Sequence, residues 1–399
     1  MRLSCALLIA AGVGTALATS VGTALTPDIE TAMATGAPLP RSGNLLPVPL
    51  NCLMSFARQT AYYIYNKITV WPPTPAVQKE KYLAVMGDVP VLNEPFKAAD
   101  RLSPAYLMRY FLYTSYAACY EKDARSMTNV TVGANKLPLQ TGDMRIVAWQ
   151  DRWGEHWFVG VSDTQRTVTI SFRGTYGMQD VITDMDGRIT KVDETLFPRA
   201  PPRSDIYAGI QRSAGWQFPG ARDAFMAVLA DNPGYQPVIT GFSLGGAVAR
   251  LFALHLRLTQ PQLPKAFVYT YGMPIATNVD FSNWALDIIG RDHYARVITV
   301  NDITPNLREI KGDFGHATNA IVIYFSDPDR LEIVRCENDT DPRCGADIPC
   351  HERGWRYHGT FAGLRANKWQ CLYAHNEVAP ADALPDPNDE VYDDVIDWF

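Results

Sequence analysis

One short segment of the chain carries the residue types of a covalent catalyst. Gly241-Phe242-Ser243-Leu244-Gly245 fits the pattern Gly-x-Ser-x-Gly. A serine hydroxyl attacks a carbonyl carbon only if a base takes its proton, and that base needs a carboxylate to orient it. The five residues alone would equally make a plain glycine-rich turn, so their surroundings decide. Val238-Ile239-Thr240 leads in as a β-rich run, and Gly246 to Leu254 leads out as a helix. So tight a strand-to-helix reversal strains the serine backbone and lifts its hydroxyl above the sheet. Side chains at 241 and 245 would collide with the adjoining strand and helix, and Gly241 and Gly245 avoid this. The N–H of Leu244, next after the nucleophile, is placed to meet a negative oxygen. For the base, the chain downstream offers His255, His293, His316, His351, His358 and His375.

Residues of this kind must be held by a frame, and the sequence supplies one. Ser103-Pro104 is a helix start, continued by the aromatic and alanine residues from Ala105 to Glu121. Met144–Trp149, Trp157–Ser162 and Thr167–Phe172 read as strands. So do the short β-rich runs Pro237–Thr240, Ala266–Tyr271, Ala295–Val300 and Ala320–Phe325, with helical stretches between several of them. Strands alternating with helices predict an α/β fold with a mostly parallel central sheet and helices on both faces.

Four segments occur in a fixed order: TVTISFRGT from Thr167, GFSLGGAVA from Gly241, YGMPIATNVDF from Tyr271 and VITVNDITP from Val297. Together they resemble the fungal-type triacylglycerol lipases of the class 3 lipase family, from about Pro104 to about Gly363. The resemblance implies an α/β-hydrolase fold with the chain order Ser, Asp, His. It places the acid at Asp302, in an Asn-Asp-x-x-Pro turn after a strand, and the base at His358, which a phenylalanine follows at three positions and a glycine at five. His351, beside Cys350, is the second candidate base; His316 and His255 read as structural. The second oxyanion donor, by resemblance, is Thr175 in Phe172-Arg173-Gly174-Thr175, with Arg173 read as part of an interior structural ion pair. Relatives commonly carry His before the nucleophile where this chain has Phe242, a supporting position. Their His-x-Gly-Phe element is Tyr207-Ala208-Gly209-Ile210 here.

After Thr175, the residues Met178, Val181, Ile182, Met185 and Ile189 recur at helical spacing among polar ones. In the family a lid follows the oxyanion loop, so this segment is the lid candidate. An ordinary surface helix is the alternative, with Val181 standing where a family tryptophan would be. The implied activity is that of a serine carboxylester hydrolase on lipid or ester substrates, with triacylglycerol lipase ahead of a feruloyl, aryl or phospholipid esterase. From a different class, a non-catalytic lipid-binding protein on the same fold would also fit. No metal and no organic cofactor is required.

The ends of the chain bear on where it works. Arg2, the apolar run Leu3–Val13 and the small residues Ala16-Leu17-Ala18 have the layout of a secretory signal peptide over residues 1–18. Residues 19–50 then read as a flexible leader, 51–375 as a single catalytic domain, and 376–399 as an acidic tail with eight carboxylates and no Lys or Arg. With cleavage after Ala18, six cysteines remain: Cys52, Cys119, Cys336, Cys344, Cys350 and Cys371. An even number in an exported chain predicts disulfides, and the resemblance suggests Cys119 with Cys371. Asn129 and Asn338 head glycosylation sequons, in keeping with an extracellular location. A net charge of −6, held largely in that tail, argues against nucleic-acid binding and leaves a near-neutral body able to approach a lipid–water interface. Beyond the first two dozen residues no stretch suggests a membrane anchor.

Overall fold

The computed structural model describes residues 95–117, 131–132, 137–138, 143–152, 155–174, 188–306, 313–317, 320–327, 330–337, 341–345, 348–349, 353, 357–358, 360–361 and 364–365. The predicted signal peptide, leader, acidic tail, the sequon residues Asn129 and Asn338, His351, His375, Thr175 and Met178 to Met185 lie outside the described residues. So do Cys52, Cys119, Cys350 and Cys371.

An eight-stranded sheet organises the described chain. Its strands are β1 (Arg145–Arg152), β2 (Glu155–Ser162), β3 (Thr167–Phe172), β4 (Gln236–Phe242), β5 (Phe267–Tyr271), β6 (Tyr294–Ile298), β7 (Ile321–Asp327) and β8 (Arg330–Arg335). They lie side by side in chain order. β3 to β7 run parallel, while β1, β2 and β8 are antiparallel to their neighbours. The seven predicted strands fall on β1 to β7 within a few residues at each end. β8 was not foreseen from the sequence: its apolar Leu331, Ile333 and Val334 are interleaved with Arg330, Glu332 and Arg335, and it forms an edge of the sheet, where charge is tolerated.

The faces of the sheet divide the core in two. Helices α2 (Ala208–Asp231), α3 (Leu244–Thr259) and α4 (Val279–Ile289) pack on one face, over Val159, Ile170, Ile239 and Val268. Side chains at alternate positions, among them Val238, Phe267, Tyr269 and Tyr271, point to the other face and meet helix α1 (Pro104–Tyr116). There Tyr110 stacks on Tyr269 with ring centres 4.5 Å apart, and the Tyr271 hydroxyl donates to the Leu107 carbonyl. Fourteen of the 16 residues of α3 are buried, so this is a core helix and not an amphipathic surface one. A third, smaller cluster surrounds a disulfide between Cys336 and Cys344 at the β8 edge. No described helix is long and apolar enough to cross a membrane.

Ile189 departs from the expected helix. It opens a short strand, Ile189–Lys191, paired antiparallel with Asp205–Tyr207. Its partner across the pair is Tyr207 and its neighbour Thr190 is β-branched, which fits a pleated strand and closes the helical pattern before it.

Candidate active site

Strand register sets the site. Phe172 of β3 lies opposite Gly241 of β4, and Phe242 lies opposite Tyr271 of β5. The carboxyl ends of three adjacent strands are therefore level, and each releases its loop at the same edge of the sheet. The middle strand releases Ser243, whose backbone has φ 53° and ψ −125°. Its N–H donates to the Tyr271 carbonyl at 2.8 Å, which ties the turn to β5.

The two glycines of the pattern are required by contact. A Cβ on Gly241 would run into the carbonyl of Gly245, and one on Gly245 into the carbonyls of Phe172 and Arg173. Those obstacles are backbone, which cannot swing aside. Leu244 is the first residue of α3, so its N–H has no acceptor within the helix and lies at the positive end of the helix dipole.

Three residues distant in sequence meet at this edge. His358 Nε2 lies 2.7 Å from Ser243 Oγ, and His358 Nδ1 lies 2.8 Å from Asp302 Oδ2. A carboxylate only accepts, so the ring proton sits on Nδ1 and leaves Nε2 to accept from the serine hydroxyl. Asp302 follows β6, its Oδ1 accepts from the Thr304 N–H at 2.8 Å, and it is 0% exposed. His358 is 3% and Ser243 6% exposed, so the whole relay is shielded from water. The Phe242 ring lies 4.7 Å from the His358 ring and forms its floor.

The other described histidines take structural places. His255 is on α3, with Nδ1 2.9 Å from the Leu196 carbonyl. His316 is buried, with Nε2 3.2 Å from the Pro305 carbonyl. His293 lies on a short turn of helix after α4, its ring stacked on Phe267. Arg173 is buried beside His156, whose carbonyl accepts from the Arg173 N–H. Burial and that nearby charge push the His156 pKa down to about 3. Tyr207 ends its strand and packs at a tilt against Phe314, and burial together with Asp313 pushes its hydroxyl up to about 12.

One residue of the site was missed in the sequence. Gly272, directly after β5, has φ +54°, and a Cβ there would lie 3.0 Å from His358 Cε1 and 3.2 Å from Asp302 Oδ2. The only sequence signal was a glycine ending a strand that lies next to the nucleophile strand.

A serine on a strand-to-helix elbow, in the middle of a mostly parallel sheet with helices on both faces, defines an α/β-hydrolase fold. Comparison with known proteins narrows this further. Residues 169–311 match the class 3 lipase family. A lipase of Rhizomucor miehei is 26% identical over 220 residues, covering 52% of this chain and 56% of that protein. A secreted mono- and diacylglycerol lipase of Fusarium solani is 27% identical over 291 residues, covering 68% and 81%. Among solved structures, a Yarrowia lipolytica lipase superposes with a TM-score of 0.55 at 19% identity, over 68% of this chain and 97% of that one. The chain thus spans about half the length of the first of these relatives and four fifths of the second. These likenesses make the chain similar to the class 3 lipase family over residues 169–311.

Proposed function

We propose that the protein is a secreted serine carboxylester hydrolase acting on acylglycerols at a lipid–water interface. The observation that carries this reading is the hydrogen-bonded relay from Ser243 through His358 to Asp302. In the first half-reaction Ser243 Oγ attacks the ester carbonyl carbon while His358 Nε2 takes its proton. Asp302 holds the imidazolium that results, and the carbonyl oxygen becomes an oxyanion that the Leu244 N–H meets, with Thr175 as the second donor. The C–O bond of the alcohol then breaks, and His358 returns the proton to the leaving alkoxide. Water, deprotonated by the same histidine, attacks the acyl-enzyme and releases the carboxylic acid and the free serine.

Relatives named as secreted mono- and diacylglycerol lipases support the substrate class and the export of the chain. The Cys336–Cys344 disulfide fits an oxidising compartment. The test is turnover of a soluble p-nitrophenyl ester and of emulsified triacylglycerol by wild type and Ser243→Ala. Wild type should hydrolyse both and accelerate on the emulsion, while the variant should lose about 10⁴-fold or more of the rate at an unchanged melting temperature. Equal rates from the two proteins would refute the assignment of the nucleophile. A wild type that ignores dispersed lipid would be an esterase on dissolved substrates.

A further inference from the structure

The base of the proposed relay rests on a benzene ring, and the contact between the two has its own electrostatics. Phe242 ends β4, one residue before Ser243, and is 2% exposed. Its ring centre lies 4.7 Å from that of His358, with the planes 34° apart. Rings side by side in one plane could not come so close, and a rim-on approach would need nearly perpendicular planes. The imidazole therefore overlaps the face of Phe242. A benzene ring has neither an N–H nor a lone pair, so it competes for neither imidazole nitrogen. Nδ1 stays with Asp302 and Nε2 with Ser243.

The ring is itself fixed from other sides. Phe111 of α1 meets it in a T-shape, with centres 6.4 Å apart and planes at 85°. Gly174 lies so close that a Cβ there would come within 2.8 Å of Phe242 Cδ1. Phe361, three residues after His358, packs on Phe111 with centres 4.6 Å apart. One side chain of α1 thus anchors both the ring beneath the base and the segment that follows the base. Phe111, Phe242 and Phe361 are all buried, as is His358, so water does not screen the interaction between the two rings.

We propose that the face of Phe242 stabilises the imidazolium that His358 becomes when it takes the Ser243 proton. The inference rests on the proposed ester hydrolysis and adds one contributor to it. The face of a benzene ring carries partial negative charge, so it attracts a cation lying over it, and more strongly when both are out of water. Before the reaction the imidazole is neutral and gains little from that face. As the Oγ–H bond breaks and Nε2 gains the proton, the imidazole becomes a cation and the attraction appears. The contact is therefore stronger in the transition state than in the ground state, which is the condition for raising kcat. Asp302 meets the new charge at the edge of the imidazole, and Phe242 meets it at the face. In this role Phe242 is a positioning residue, acting on the substrate only through the base.

The test replaces Phe242 in the full chain by phenylalanines carrying one, two and three ring fluorines. Each fluorine draws electrons from the face while changing the shape of the ring little. With a soluble p-nitrophenyl ester, kcat should fall at each step and reach about tenfold below wild type with three fluorines, at nearly constant KM and melting temperature. An alkylboronic acid should report the same contact without turnover. Its boron bonds to the Ser243 oxygen and becomes a tetrahedral anion, while the serine proton passes to His358 Nε2. Its inhibition constant should therefore rise along the series in step with the fall in kcat. A constant kcat across the series, or a decline matched by a falling melting temperature, would overturn the proposal and leave Phe242 as packing alone. That outcome, in a protein whose turnover still needs Ser243, would leave the proposed hydrolase standing. Equal turnover by wild type and Ser243→Ala would remove both.

Discussion

Gly272 shows how narrowly the reacting groups are held. Any side chain there must adopt a positive φ and also press on both His358 and Asp302. Gly272→Ala should therefore lower kcat by about tenfold or more while leaving KM nearly unchanged, because misplacing the base weakens transition-state and not ground-state contacts. A parallel loss of folded protein by circular dichroism would instead mark the glycine as structural. Legibility in the sequence follows the same division. The elbow was readable because strand, serine and helix are contiguous and the atoms that bar a side chain at Gly241 belong to the turn itself, although those that bar one at Gly245 belong to Phe172 and Arg173, far earlier in the chain. Asp302 and His358 were reachable only through family resemblance, since their meeting depends on strand register. Gly272 was invisible for the same reason, its partners being distant in the chain.

At the scale of elements, the β7–β8 hairpin and the disulfide behind it close the β8 edge of the sheet. Cys336 follows β8 directly, and Cys344 lies eight positions on, packed with Ile298, Ala320 and Val322. A link across so short a loop limits the unfolded chain by an amount worth roughly 2–3 kcal/mol. Cys336→Ala/Cys344→Ala should lower stability by about that much in urea titration, with little change in activity, because neither residue touches the relay. A stability unchanged within about 0.5 kcal/mol would mean that apolar packing alone holds this edge. The sequence could say that both cysteines were available for pairing, but not which partners they would take. The failure at Ile189 has a related origin. Spacing in a sequence records a face but not the hairpin partner that decides between helix and strand, and here Tyr207 decides.

For the whole molecule, the buried histidines set an acid limit. His156 is held neutral in the folded state, with its pKa lowered to about 3 by burial first and by Arg173 second, whereas the unfolded chain protonates it near its ordinary value of about 6.5. Burial also lowers the pKa of His255, so the two act in the same direction. With the folded pKa below the unfolded one, the stability is complete above pH 6.5 and falls as pH drops toward 3. His156 contributes a slope of about 1.4 kcal/mol per pH unit within that window. Urea unfolding between pH 7 and pH 4 should show this decline, and His156→Leu should flatten it. A variant with the same slope as wild type would place the acid sensitivity elsewhere.

The strands lie across the sheet in the order in which the chain presents them, and this gives the active centre a history. A ribosome delivers the serine and its elbow while the strands beside them are being laid down. The imidazole comes 115 residues later, which at typical elongation rates of about 5–20 residues per second is on the order of ten seconds. On the proposed mechanism the hydroxyl has no base throughout that interval, and the growing polypeptide turns over no ester. Activity of that kind would be a late event of synthesis, with the arrival of a single side chain, and a chain cut short before that arrival would carry an inert nucleophile.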